Sequence, residues 1–301
     1  MRMEFNNILE KYKNIVNQQL DNFFDDKINE VNDAFLKENY CFLKEFTLRP
    51  GKRLRPIAAI MAFKSINDVD EEGVYPLCIV PELIHASTLI HDDVMDEDLL
   101  RRKKPTMHKI FEEYFKKNFT DADYDGDLFS SHSKRFSVSM AILQGSILFS
   151  LSKSPLLDSK LEDNIKIKSL QIFNEAYIKV GEGQMFDLLI SASKKINEED
   201  YLKMSIAKTA PLFSSSIKFG ALLNNAKDFQ LEALDKYANS IALAFQIHDD
   251  IMDLSETMED AGTYAKNKII EAKKYLEKAG LNEEGFKFFN ELADFVVERK
   301  V

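Results

Sequence analysis

The residues with the clearest capacity for chemistry form two acidic heptads. Ile90-His91-Asp92-Asp93-Val94-Met95-Asp96 recurs 157 residues later as Ile247-His248-Asp249-Asp250-Ile251-Met252-Asp253, with six of seven positions identical. Both copies lie inside apolar patterns of helical period. Asp92 and Asp96, and likewise Asp249 and Asp253, therefore fall four residues apart on one helix face, about 6 Å along the axis. Like charges so placed destabilise a helix, and burying them costs more, so a cation is needed to compensate. Carboxylates on a helix with no His or Cys at ligand spacing are hard oxygen donors. That set suits Mg²⁺, which keeps waters and bridges substrate phosphates. A single DDxxD reads as readily as a solvated helix end, but duplication with the same flanking Ile and His favours a shared task. Two basic clusters supply the complement: Lys52, Arg53 and Arg55 in GKRLRP, and Arg101, Arg102, Lys103 and Lys104 just after the first heptad. Arg grips phosphate through two parallel bonds and Lys acts as a point charge. The pattern predicts phosphates clamped between two facing acidic sites.

The elements that must carry these residues are helices. Only 10 Gly and 7 Pro punctuate 301 residues, and no hairpin signal separates the apolar runs. Periodicity predicts an amphipathic helix pair over 4–36, a loop and helix entry over TLRPGKRLRP (47–56), and helices over 57–66, 76–98, 137–151, 165–193, 198–223, 231–254 and 264–276. The expected fold class is all-α, a single-domain helical bundle spanning 1–301. The polar segment 111–136 reads as a long surface loop or lid. Within it Asp121, Asp123, Asp125 and Gly126 match the start of a calcium loop, but position twelve is His132 where a bidentate Glu is required.

Composition narrows the function. A balance of 45% hydrophobic and 30% charged residues is that of a core-forming chain, and a net charge of −10 argues against nucleic-acid binding through bulk charge. No export signal is visible, and the stretch 137–153 falls short of a membrane span, so a cytoplasmic protein with no transmembrane segment is expected. Cys41 and Cys78 fit no ligand spacing and read as reduced packing residues.

Taken in order, GKRLRP (51–56), LIHDDVMDEDLLRRKKPTMH (89–108), GQMFDL from Gly183, KTA (208–210) and FQIHDDIMDL (245–254) resemble the motif series of the trans-isoprenyl diphosphate synthases, the polyprenyl synthetase family. The resemblance runs over nearly the whole chain. It implies the isoprenoid synthase fold with a central cavity between helices, a homodimer, and a Mg²⁺-dependent prenyltransferase of the farnesyl/geranylgeranyl diphosphate synthase type. Such an enzyme condenses isopentenyl diphosphate with allylic diphosphates, using up to three Mg²⁺ per active site. It further implies that Asp92, Asp96, Asp249 and Asp253, supported by Asp93 and Asp250, bind the metal that holds the allylic diphosphate, which Arg101 also contacts. Lys52, Arg55, His85 and Arg102 would seat the diphosphate of isopentenyl diphosphate. Lys208, Thr209 and Gln246 would line the allylic pocket. In the family, bulky aromatics four and five residues before the first acidic motif shorten products; here Thr88 and Ser87 stand there. The small residues imply geranylgeranyl length or longer, with Phe149 as a deeper stop and Pro81 bending the lower tunnel.

Four departures stand out. The family continues after the second motif into a basic flap and further helix, whereas DLSETMEDAGTYAKNK follows at once here. Roughly fifty residues of the pattern are missing, and a break near Leu254 to Glu259 is expected. Lys103 replaces a frequent Gly and Ser146 a frequent Asp; the 111–136 segment is an insertion. The alternatives are a longer-chain polyprenyl diphosphate synthase, a class I terpene cyclase or a non-catalytic partner subunit. The intact second motif weighs against the last two.

Overall fold

The computed structural model describes residues 2–193, 198–253 and 258–297, without the side chains of residues 2, 198–199, 248–253, 258–261 and 297. The helices are α1 (Arg2–Glu30), α2 (Ala34–Leu48), α3 (Leu54–Ile66), α4 (Val80–Met95), α5 (Met107–Asn118), α6 (His132–Leu151), α7 (Ser154–Leu157), α8 (Asp163–Ala192), α9 (Glu198–Leu223), α10 (Asp228–Asp253), α11 (Met258–Lys278) and α12 (Glu283–Val297). The all-α expectation holds, with one two-stranded hairpin, β1 (Leu100–Arg101) and β2 (Lys104–Pro105), among the described residues. The expected break near Leu254 to Glu259 falls on residues outside those described.

The chain divides into two compact units, one formed by 1–12, 54–78 and 160–301 and the other by 13–53 and 79–159. The first is built around α3, whose Ile57, Ala58, Ala59, Ile60, Met61 and Ala62 have no exposed surface. A helix apolar on every side belongs in a core. It packs on α9 and α12, while α9 also packs on α8 and α10. The approach of α3 to α9 depends on Gly220, where an added Cβ would lie 1.9 Å from the Ala59 carbonyl oxygen.

One polar cluster ties this unit together. Glu71 accepts hydrogen bonds from Tyr12 (2.9 Å) and Tyr75 (2.7 Å) and pairs with Lys64 at 2.8 Å. Burial opposes ionisation of Glu71, but the bonds from Lys64, Tyr75 and Tyr12 outweigh it and hold the carboxyl at about 2. An acid whose pKa falls on folding adds stability above its unfolded value of 4.5, and that stability drains away as the pH drops towards 2. After discounting for partial solvent screening, the contribution is about 1–2 kcal/mol. Glu71→Gln is expected to melt several degrees lower than the wild type at pH 7, with the gap narrowing below pH 4.5 and closing as the pH falls through about 2. A gap that persists in thermal melts at that pH would rule out ionisation of Glu71 as its source.

In the second unit α4 packs on α6, and α5 on α6. The expected loop over 111–136 is corrected here. Residues 111–118 complete α5, α6 starts at His132, and only 119–131 is irregular. The cause is an aromatic stripe: Phe111, Tyr114 and Phe115 pack on Phe136, and Phe42 stands edge-on to Phe111 with centroids 5.5 Å apart. Asp121, placed at the start of the calcium-like loop, is spent on capping: it accepts from the Ser133 amide (3.0 Å) and hydroxyl (2.5 Å). Residues 132–157 reach the length and mean hydropathy, 1.2, of a membrane span by composition alone, with 39% of the window buried inside the protein. Cys78 is buried and Cys41 exposed; burial pushes the Cys78 thiol up.

Candidate active site

The first acidic heptad lies at the C-terminal end of α4. The helix stops because Glu97 turns left-handed (φ 54°), and the Asp98 amide reaches back 3.0 Å to the Asp93 carbonyl, closing the last turn. The negative end of the helix dipole therefore coincides with Asp92 and Asp96, which compounds the demand for a cation. Asp96 is exposed and Asp92 half-buried. Asp93, one residue round the helix, has no exposed surface and pairs with Arg101. Burial pushes the Asp93 carboxyl up to about 6, against the pull of the Arg101 charge. Arg101 also lies 3.3 Å from both Asp92 and Asp98.

Arg101 is aimed by the hairpin. Arg102 and Lys103 form its two-residue turn with φ of 56° and 63°, the mirror-image turn that suits twisted strands. Glycine adopts that conformation without penalty, whereas Lys103 holds it at a steric cost. The turn brings the Arg102 guanidinium over Gly51, where a Cβ would stand 2.9 Å from Nη1. Arg102 Nη1 donates to the Arg49 carbonyl at 2.9 Å, and Arg49 Nη1 to the Arg101 carbonyl at 3.3 Å. Phe46, Thr47, Arg49, Glu82, His85, Ala86, Leu89, Arg101 and Arg102 enclose a cavity of about 10 Å³, the size of one water. Three guanidinium groups and an imidazole around one carboxylate make a basic cradle, whose enclosed space has room for a water and not for a diphosphate, so an anion would meet its outer face. The buried Thr47 hydroxyl, which has no hydrogen-bond partner among the described residues, adds a free donor. Of the expected seat, His85 and Arg102 line this cradle, and Lys52 stands exposed in the loop before α3. Ser87 and Thr88 fold their hydroxyls back onto α4, donating to the carbonyls of Ile84 (2.7 Å) and His85 (2.8 Å). Pro81 occupies the first turn of α4, where it starts the helix. Phe149 is half-buried on α6, under the Lys153 ammonium at 3.4 Å.

The other expected residues belong to the first unit. Lys208 on α9 donates to Asp187 on α8 at 2.7 Å, and Thr209 donates to Gln246 on α10 at 3.1 Å. Gly183 makes the first contact possible, because a Cβ there would meet the Lys208 amide nitrogen at 2.7 Å. Arg55 stands in the first turn of α3. The second heptad again ends a long helix, α10; the side chains of Asp249, Asp250 and Asp253 lie outside the described residues. Asp187, Arg49, Thr47 and Glu82 were not singled out by the sequence reading, because each acts through a tertiary neighbour rather than a local pattern.

The Polyprenyl synthetase family profile matches residues 38–276. The chain belongs to that family. It is 31% identical over 237 residues to the geranylgeranyl diphosphate synthase of Methanosarcina mazei, an alignment spanning 79% of this chain and 65% of that one. It is 33% identical to the short chain isoprenyl diphosphate synthase of Methanocaldococcus jannaschii, over 82% of this chain and 68% of that one. In fold it matches, with a TM-score of 0.85 at 21% identity, the geranylgeranyl pyrophosphate synthase of Corynebacterium glutamicum, a crystal structure complexed with isoprenyl diphosphate and magnesium; the match covers 97% and 99% of the two chains.

The donor set at the end of α4 fits magnesium: carboxylate oxygens without nitrogen or sulfur ligands. Among the described residues no three metal-ligating side chains converge. One or two carboxylates suffice for an ion that takes its remaining ligands from phosphates and water.

Proposed function

We propose that the protein is a trans-prenyltransferase that joins isopentenyl diphosphate to allylic diphosphates and makes chiefly geranylgeranyl diphosphate. The observation that carries this reading is the basic cradle of Arg49, His85, Arg101 and Arg102 built beside an acidic helix end in a polyprenyl synthetase. Asp92 and Asp96, with Asp249 and Asp253 and with Asp250 in support, hold up to three Mg²⁺. Bound there, magnesium neutralises the charge that develops on the departing diphosphate. Asp93 supports the metal, and its buried pair with Arg101 supports a second role in fixing Arg101 against the allylic diphosphate. Lys52, Arg55, His85 and Arg102 seat the second diphosphate. Lys208, steadied by Asp187, and the Thr209–Gln246 pair line the allylic pocket. The alkene attacks the allylic cation and a proton leaves. The released diphosphate is basic enough to accept that proton, so no strong protein base is required. Ser87 and Thr88 support a long product because both keep their bulk against their own helix. The exposed stripe of Ile142, Leu143 and Ile147 on α6 supports a homodimer, and the acidic, thiol-bearing chain suits the cytoplasm.

The test is incubation with Mg²⁺, isopentenyl diphosphate and, separately, dimethylallyl, geranyl and farnesyl diphosphates, sizing the dephosphorylated products by chromatography. Geranylgeraniol is the expected main product. Cyclic hydrocarbon, or no elongation from any primer, would overturn the reading.

A further inference from the structure

The second unit buries an ion pair to which the proposed chemistry gives no role, although one member, Glu82, lines the cradle. Arg53 and Glu82 pair with side chains only 1% and 6% exposed. The Arg53 guanidinium is fully committed: Nε donates to Asn17 at 2.9 Å, Nη1 to Glu82, and Nη2 to the Arg49 carbonyl at 2.9 Å. That same carbonyl accepts the bond from Arg102, so Arg53 and Arg102 are held through one oxygen. Arg53 is also left-handed, with φ 52°, a conformation that a non-glycine residue keeps only when its surroundings enforce it. Lys52 is its chain neighbour, and His85 lies three residues after Glu82 on α4.

Stability alone does not call for this arrangement. Two buried charges cost as much to desolvate as they return, and an apolar pair of similar volume is commonly as stable or more so. Charge balance around the cradle does call for it. Glu82 is the one carboxylate lining a cavity that holds Arg49, Arg101 and Arg102. Burial lowers the proton affinity of Arg102, Glu82 opposes the shift, and Arg53, Arg101 and Arg49 add to it.

We propose that Arg53 and Glu82 are a positioning pair. By fixing the bend at Arg53 and the Arg49 carbonyl, they set Lys52 and Arg102 for the diphosphate of isopentenyl diphosphate without touching it. This rests on the function proposed above. The variants are Glu82→Gln and the volume-matched double variant Arg53→Met/Glu82→Leu, which removes the buried ion pair as a unit and leaves the local net charge unchanged. Both are assayed for steady-state kinetics in each substrate, for thermal melting, and for calorimetric binding of isopentenyl diphosphate alone.

The double variant is expected to melt within a few degrees of the wild type, with KM and Kd for isopentenyl diphosphate raised about ten-fold or more. Its kcat and its KM for the allylic substrate are expected to stay within about three-fold. A folded double variant that binds isopentenyl diphosphate like the wild type would overturn the proposal, as would a uniform loss in all parameters that tracks melting temperature. A wild type that neither binds nor elongates isopentenyl diphosphate would instead remove the functional reading, and this inference with it.

Discussion

Asp92→Asn is expected to lower prenyl transfer at saturating substrate by about 1,000-fold while leaving the melting temperature unchanged or slightly raised. The two effects have one origin. Asp92 stands in the last turn of α4, where the helix dipole already presents negative charge. Removing a carboxylate there relieves about 0.3–1 kcal/mol of repulsion with the helix end and gives up the 3.3 Å contact with Arg101, two effects that nearly offset each other. The same carboxylate is assigned to hold the cation against which negative charge develops as the allylic bond breaks, so its contribution grows towards the transition state. Loss of rate without loss of stability is the signature of a group kept for chemistry. Asp123→Asn, in the irregular 119–131 segment, is the control and is expected to leave the rate unchanged. Rates measured for both variants alongside thermal melts decide the matter, and a loss under ten-fold at Asp92 would sink its assignment.

The largest effect on stability is expected from one added methyl. Gly220→Ala places a Cβ 1.9 Å from the Ala59 carbonyl oxygen and 2.6 Å from its carbon. These are backbone atoms at the centre of α3, whose buried residues leave no room for retreat. The helices must separate, opening the α3–α9 contact along its length, and a loss of about 3 kcal/mol or more is expected. Gly181→Ala on α8 supplies the contrast, since nothing lies within 4 Å of its added Cβ. There the substitution removes only the entropic cost of glycine in a helix and is expected to stabilise by about 0.5–1 kcal/mol. Denaturant melts of the two variants should move in opposite directions. If Gly220→Ala melts like the wild type, the close α3–α9 packing described here is wrong.

The acidic heptads and basic clusters were legible in the sequence because their chemistry is local: spacing on one helix is set by the helix itself. The ordered motifs then carried the family. What escaped depends on contacts between distant segments. Residues 111–118 looked like loop because charged residues and the turn signals beyond Phe119 masked a stripe that becomes apolar only against Phe42 and Phe136. The hairpin was hidden because its turn is Arg102-Lys103 rather than a glycine pair. The Lys208–Asp187 bond spans 21 residues and exists because Gly183 lets two helices close. Helix α12, over EEGFKFFNELADFVV, carries an amphipathic period that the sequence reading passed over.

Four of the five non-glycine residues with left-handed backbones among the described residues are Arg53, Glu97, Arg102 and Lys103. All four flank the acidic helix end or the basic cradle. Each gives up about 1 kcal/mol relative to glycine, which together is a large fraction of the 5–15 kcal/mol that holds a protein folded. Glycine at any one of them would relieve the left-handed strain and remove the side chain with it. A redesign guided by melting temperature alone would therefore start at the very positions whose side chains are proposed to order the site.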